Sequence, residues 1–140
     1  GEPSRLLEWS GPSSATAICY ELTQSHALSK AVSGGAKWLL TIANLDPYPR
    51  SLQMQFIKMA QLRSIENNRD LIMVSNTGPT GLILASGQVK NLFPPYQELI
   101  QTVELSLYNN ITFYVRFGEI PLIIFFFSGV FGILFSRVSI

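Results

Sequence analysis

Short apolar runs alternate with helix-like stretches along the first half of the chain. Three runs, 15–19, 37–44 and 70–76, are apolar over strand length and bounded by turn-forming residues, which is typical of buried strands. Between them, 24–32 is expected to be a helix, and 51–67 carries apolar residues at helical spacing. This order of strands and helices predicts an α/β fold.

Turn-forming residues divide the chain after the third run. The pair Gly34-Gly35 is expected to end the first helix, and TGPTG is expected to turn the chain into a further strand at LILAS, residues 82–86. Segment 101–119 contains strand-like residues on both sides of the turn signal Asn109-Asn110. We therefore expect an antiparallel end to the sheet.

The run 120–136 is apolar throughout and lies between Glu119 and Arg137. As a helix it would be about 25 Å long, near the lower limit for a bilayer span. A pair of buried strands is the alternative, but such strands are short and this run has no polar turn. We expect a transmembrane helix at 120–137 and a short cytoplasmic tail at 138–140, since Arg favours the cytoplasmic side.

Composition limits the classes of function. The chain has 140 residues, of which 47% are hydrophobic and 14% charged, and its net charge of +1 gives no strong field for nucleic acid. One cysteine excludes an intramolecular disulfide, and one Cys with one His excludes the usual zinc sites. The chain starts without Met or a signal-peptide pattern, so we expect it to be part of a longer protein.

Cys19 stands where the first strand gives way to a helix. Open α/β folds place their sites at strand ends, and a helix N-terminus lowers a thiol pKa and can hold an oxyanion. A buried structural cysteine is the alternative, and the local pattern alone favours it. Glu21 fits either a helix-capping charge or a catalytic or substrate-positioning group. His26 falls inside the first helix and is interpreted as a surface residue.

Four motifs occur in order along the chain: ICYE at 18–21, WLLTIANLDPYP at 38–49, QFIKMAQLRSIENNRDLIMVSNTGPTGLI at 55–83 and LYNNITFYVRFGEIPL at 107–122. Together they resemble the C-terminal part of the apolipoprotein N-acyltransferase family, a membrane-embedded branch of the nitrilase (carbon–nitrogen hydrolase) superfamily. The loop NLDPYP is more similar to the cyanobacterial form. The resemblance implies part of a nitrilase-like α-β-β-α sandwich over 1–119, followed by the membrane helix.

The resemblance also implies an activity, in which a fatty acyl chain moves from a phospholipid, through a Cys thioester, to the N-terminal amine of a diacylglyceryl-cysteine lipoprotein. Cys19 matches the nucleophile, Glu21 an acidic residue needed for activity, and the backbone N–H of Tyr20 an oxyanion contact. Expected partners are the phospholipid, the lipoprotein and the membrane, without nucleic acid, cofactor or metal. The expected location is the bacterial inner membrane, with the catalytic domain on the periplasmic side.

Two further pairs of residues match family positions. Asn44 and Tyr48 match the loop beside the active site, where the family's usual Trp-Phe pair is missing and Tyr48 is the only aromatic residue. Arg63 and Glu66 match a family signature, and their spacing on one helix face predicts that they pair as structural support.

The chain departs from the family in what precedes the cysteine. The family places a Glu general base and an oxyanion-stabilising Lys there, whereas here only Glu2 and Glu8 precede Cys19, with no Lys, and both are interpreted as surface residues. We expect this chain alone to be inactive without the N-terminal part of the same protein. The alternatives are a nitrilase-like amidase acting on a small amide, and a non-catalytic remnant or split subunit.

Overall fold

The structure is a computed structural model that describes residues 5–138, with side chains described as far as residue 133. Six strands form one mixed sheet, and a 3₁₀ turn, Cys19–Thr23, follows the second strand. The strands are β1 (Leu6–Leu7), β2 (Ser14–Ile18), β3 (Trp38–Ala43), β4 (Leu71–Ser75), β5 (Thr80–Ile83) and β6 (Val89–Phe93). The helices are α1 (Ser25–Ser33), α2 (Arg50–Asn67), α3 (Phe113–Phe117) and α4 (Ile120–Val138).

The order of the strands in the sheet is their order in the chain. β2, β3 and β4 are parallel, and β1, β5 and β6 pair antiparallel on either side of them. The parallel strands need long crossovers, which α1 and α2 provide. The predicted α/β order with an antiparallel end is confirmed for the sheet. The strand expected at 82–86 is observed as β5, Thr80–Ile83, the next strand is β6, and no strand forms in 101–119.

The core lies between α1, α2 and one face of the sheet. Ala15, Leu39 and Leu71 occupy this face on neighbouring strands and are fully buried, and Phe56 of α2 packs into the same cluster. Ser29 of α1 donates a buried hydrogen bond to Asn67 of α2, so both helices lie on the same side.

Both crossover helices end in left-handed residues. Gly35 has a φ of +115°, and Ala36 N–H and Gly35 N–H bond to the carbonyls of Ala31 and Val32, the Schellman arrangement that satisfies a helix C-terminus. The predicted stop at Gly34-Gly35 is confirmed. At the end of α2, Asn68 is also left-handed, with φ +47°. The next residue, Arg69, is buried in the interior.

The opposite face of the sheet carries an apolar row that is largely exposed. Ile18, Ile42 and Val74 are aligned by strand register and are 61%, 47% and 39% exposed. The described residues therefore show one helix layer and one sheet layer of the expected sandwich, with an apolar sheet face pointing away from the helices.

The strands expected in 101–119 do not form. Segment 106–112, called the strap below, is held by side-chain contacts instead. The Asp70 carboxylate accepts the N–H of Ser106 at 2.9 Å, and Asn68 donates to the side chain of Asn110. These side-chain contacts replace a strand ladder. Thr112 then caps α3 by accepting the N–H of Val115 at 3.0 Å, so the strand-like residues that follow the turn form a short helix instead.

The expected transmembrane helix at 120–137 is not supported. Within residues 5–138, no helix is both long enough and apolar enough to cross a membrane. A span needs about 20 consecutive apolar residues. Helix α4 occupies Ile120–Val138, and its described side chains, which end at residue 133, form a shorter apolar run than that. Residues 139 and 140 of the expected tail lie outside the described residues, as does Glu2.

Arg69 is buried at the amino ends of the parallel strands, with 1% of its surface exposed. Its guanidinium donates to the carbonyls of Ala36, Asn68 and Asn110, each at 2.9 Å. Desolvation lowers its pKa below the ordinary value. One side chain thereby connects the start of β3, the end of α2 and the strap.

Replacing this guanidinium tests how much it contributes to the free energy of unfolding. Arg69→Met should lower the free energy of unfolding by roughly 3 kcal/mol, because several partly or fully buried carbonyls lose their donors. Arg50→Met, at the exposed first residue of α2, should change it by less than about 0.5 kcal/mol. Urea unfolding measures both, and equal small effects would show that Arg69 does not hold these elements together.

Candidate active site

Cys19 begins the 3₁₀ turn directly after β2, at the carboxyl end of the parallel strands. Its backbone is left-handed, with φ +52°, which is rare for a residue other than Gly, Asn or Asp and costs about 1–3 kcal/mol. The side chain is half-buried. A strained strand-to-helix turn of this kind presents a side chain at the edge of a sheet, as nucleophile turns do.

The side chain of Glu21 turns back to Ile18, the residue before Cys19. Its carboxylate accepts the backbone N–H of Ile18 at 2.8 Å and forms an ion pair with Arg5. The hydrogen bond from Ile18 is the main cause, and Arg5 the second, of a pKa for Glu21 below its ordinary value. These contacts are those of a capping carboxylate, and the Glu21 side chain is 42% exposed.

Tyr20 lies between them with an exposed side chain, and its carbonyl accepts the hydroxyl of Thr23 at 2.8 Å. The first N–H groups of a helical turn have no acceptor within the turn. The N–H of Tyr20 is one of these, on the residue after Cys19.

Asn44 and Asn76 follow β3 and β4 at the same edge of the sheet. Asn76 donates from Nδ2 to Oδ1 of Asn44 at 2.8 Å, and its own Oδ1 accepts the N–H of Leu45 and of Thr77. Asn76 thus joins the two strand-end loops. The sequence analysis missed it, although a polar residue directly after a buried parallel strand is a usable signal.

Tyr48 belongs to the packing of its loop. Its ring lies 6.4 Å from that of Phe56, and its carbonyl accepts the side chain of Gln53. Asn44 therefore faces the strand ends, while Tyr48 attaches the loop to α2.

Arg63 and Glu66 form an ion pair on one face of α2. They pair at 2.7 Å with both side chains largely buried, and they line a cavity of about 900 Å³ between α1, α2 and the α3–α4 region. Thr23, the last residue of the Cys19 turn, lines the same cavity.

Two titratable residues that the sequence analysis assigned to the surface lie there. His26 and Glu8 are exposed, as expected. Among residues 5–138, no group of three His, Cys, Asp or Glu side chains is placed to hold a metal ion. Arg5 was missed by the sequence analysis because its partner lies sixteen positions away and no local pattern joins the two.

Comparison with known proteins gives the family. An apolipoprotein N-acyltransferase of Prochlorococcus marinus (strain MIT 9313) is 51% identical over 138 residues, 99% of this chain and 28% of that protein. Another, from a second strain of Prochlorococcus marinus, is 53% identical over 123 residues, 88% of this chain and 25% of that protein. The chain belongs to the apolipoprotein N-acyltransferase family. It spans only about a quarter of the length of these relatives, and no family model matches it.

Solved structures show the fold of this family segment. Nit3 of Saccharomyces cerevisiae, a member of branch 10 of the nitrilase superfamily, aligns with a TM-score of 0.62 at 14% identity, covering 70% of this chain and 39% of Nit3. An amidase mutant from Nesterenkonia sp. AN1, with acrylamide added at its active site cysteine, aligns at 0.51 and 19% identity, covering 68% and 40%. The expected nitrilase-superfamily α/β fold is confirmed.

The lowered pKa of Glu21 predicts a pH-dependent stability. A carboxylate with a lowered folded-state pKa stabilises the fold above its unfolded pKa, and this contribution is lost as pH falls through the folded value. Glu21→Gln should therefore be less stable than the wild type at neutral pH, and the difference should shrink as pH falls below 4.5 and through the lowered pKa.

Urea unfolding at a series of pH values measures this difference. Glu98→Gln, an exposed carboxylate in the irregular segment after β6, is the matched control and should show little effect at any pH. A stability difference for Glu21→Gln that stayed constant from neutral pH to below about 4 would contradict the assignment.

Proposed function

We propose that this chain carries the nucleophile of a lipoprotein N-acyltransferase, and that the nucleophile is Cys19. The observation that supports it best is the left-handed turn at Cys19, at the carboxyl edge of three parallel strands. A buried structural cysteine would need no such strain, and the local pattern that favoured that alternative did not include the backbone conformation.

The proposed reaction has two steps. The Cys19 thiolate attacks the ester carbonyl of a phospholipid, a C–S bond forms, the C–O bond breaks, and a lysophospholipid alkoxide leaves with a proton. The N-terminal amine of a diacylglyceryl-cysteine lipoprotein then attacks the thioester, a C–N bond forms, the C–S bond breaks, and the proton lost by the amine returns to the released thiolate. A thiolate suits both steps because it is a good nucleophile and a good leaving group.

The neighbouring groups take supporting roles in this proposal. The N–H of Tyr20 donates to the oxyanion of each tetrahedral intermediate. Glu21 holds the turn through the N–H of Ile18, and Asn44 and Asn76 shape the adjoining loops. The Glu base and the Lys are supplied by the remainder of the protein, which is why the isolated chain is expected to be inactive.

Both proposed substrates are lipids or lipid-modified proteins, so we place the reaction at the periplasmic face of the bacterial inner membrane. In support, α4 exposes large apolar side chains, among them Leu122 (70%) and Phe125 (78%). Apolar surface of this kind is typical of contact with lipid or with other protein.

One observation favours a second candidate, a nitrilase-like amidase. The Nesterenkonia protein is an amidase with an active site cysteine on a similar fold. The same Cys19 turn would serve amide hydrolysis, with water in place of the lipoprotein amine and ammonia as the leaving group. The acyl donor separates the two candidates.

Acyl-adduct mapping on the full-length protein tests the proposal. After incubation with phospholipid, peptide mass spectrometry should find a fatty acyl group on Cys19. Cys19→Ser should lose the adduct and lower acyl transfer by more than about 10⁴-fold, since the reaction then lacks its nucleophile.

Thr23→Ser, in the same turn, keeps the hydroxyl that donates to Tyr20 and should retain both adduct and transfer. Ammonia release from a short aliphatic amide without any phospholipid adduct would favour the amidase. Acyl transfer that survived Cys19→Ser would exclude Cys19 as the nucleophile.

A further inference from the structure

We propose that Arg5 is a positioning residue for Cys19: it holds Glu21 in place, and Glu21 in turn fixes the left-handed turn that presents the thiol. This inference rests on the proposed function of Cys19. Arg5 touches neither Cys19 nor, in the proposed reaction, the substrate, so it acts through the turn alone.

The contacts of Arg5 reach both the middle and the end of the turn. Nη1 forms the ion pair with Glu21, and Nη2 donates to Oε1 of Gln24 at 3.1 Å. The side chain is only 11% exposed. The carbonyl of Arg5 accepts the N–H of Thr16 of β2 at 2.8 Å, so the backbone that carries the guanidinium is fixed to the nucleophile strand.

The turn needs an external support. It is five residues long, and short 3₁₀ segments have poor hydrogen-bond geometry. Its N-cap, Ile18, has an apolar side chain that cannot accept a hydrogen bond, so the Glu21 carboxylate is the group that ties Ile18, the residue before Cys19, to the turn.

Glu21 would not stay there without Arg5. Its side chain is 42% exposed, and water competes for an exposed carboxylate. The planar guanidinium has several donors in a fixed geometry, which lets one group hold Glu21 and Gln24 together. A Lys would offer charge without this geometry.

Kinetics of the full-length enzyme test the inference. Arg5→Gln should lower kcat about 10- to 100-fold with little change in KM for phospholipid, because a misplaced nucleophile slows the chemical step while substrate binding is untouched. Arg5→Lys should recover part of kcat. Arg50→Gln, the same exchange at an exposed site on α2, should leave kcat unchanged.

A charge reversal makes the test sharper. The double variant Arg5→Glu with Glu21→Arg keeps an ion pair but leaves no acceptor for the N–H of Ile18, so it should stay as slow as Arg5→Gln. Recovery of kcat in this variant would overturn the inference, since charge pairing alone would then suffice.

The rate of Cys19 alkylation gives a readout independent of acyl transfer, and it should fall in Arg5→Gln but not in Arg50→Gln. If Cys19→Ser abolishes transfer while Arg5→Gln behaves like Arg50→Gln in both assays, this inference fails and the proposed function stands. If transfer survives Cys19→Ser, the proposed function itself fails.

Discussion

The rest of the fold depends on a buried guanidinium that is satisfied by backbone carbonyls. Arg69 receives its acceptors from three different parts of the chain, namely the start of β3, the end of α2 and the strap. A buried charge is costly unless hydrogen bonds satisfy it, and buried carbonyls are costly without donors. The hydrogen bonds between the guanidinium and the carbonyls therefore offset both costs. Asp70, also buried, does the same with opposite polarity by accepting the N–H of Ala85 and Ser106.

This arrangement separates stability from chemistry along the strands. Arg69 and Asp70 fix the amino ends of the parallel strands, whereas Cys19, Asn44 and Asn76 lie at the carboxyl ends. A residue held in a sparsely populated backbone conformation persists only where the surroundings over-determine it. The packed core beneath the strands and the hydrogen bond from Ile18 to Glu21 supply that constraint for the strained turn at Cys19.

The sequence predicted those parts whose signals are local. The three parallel strands, α1, α2 and the Gly34-Gly35 stop follow from run length, spacing and turn residues, and the ICYE motif placed Cys19 and Glu21 together. What it missed depends on distant partners. In 101–119, where strand propensity predicted strands, Asp70 bonds to Ser106 and Thr112 caps a helix. Arg5 is brought to Glu21 by the pairing of β1 with β2. Arg69 stands in a polar run, NNRD, whose burial no local pattern shows.

The agreement between strand order and chain order bears on how this segment acquires its structure. Each strand pairs with the one made just before it, so the sheet can grow from β1 to β6 in the direction of synthesis. The parallel pairs close over a single intervening helix, which keeps the chain entropy lost at each step modest. The strap is made after all six strands and meets Arg69 and Asp70 already in place. On the ribosome, the contact that locks the amino ends of the strands would therefore form only after the sheet is complete.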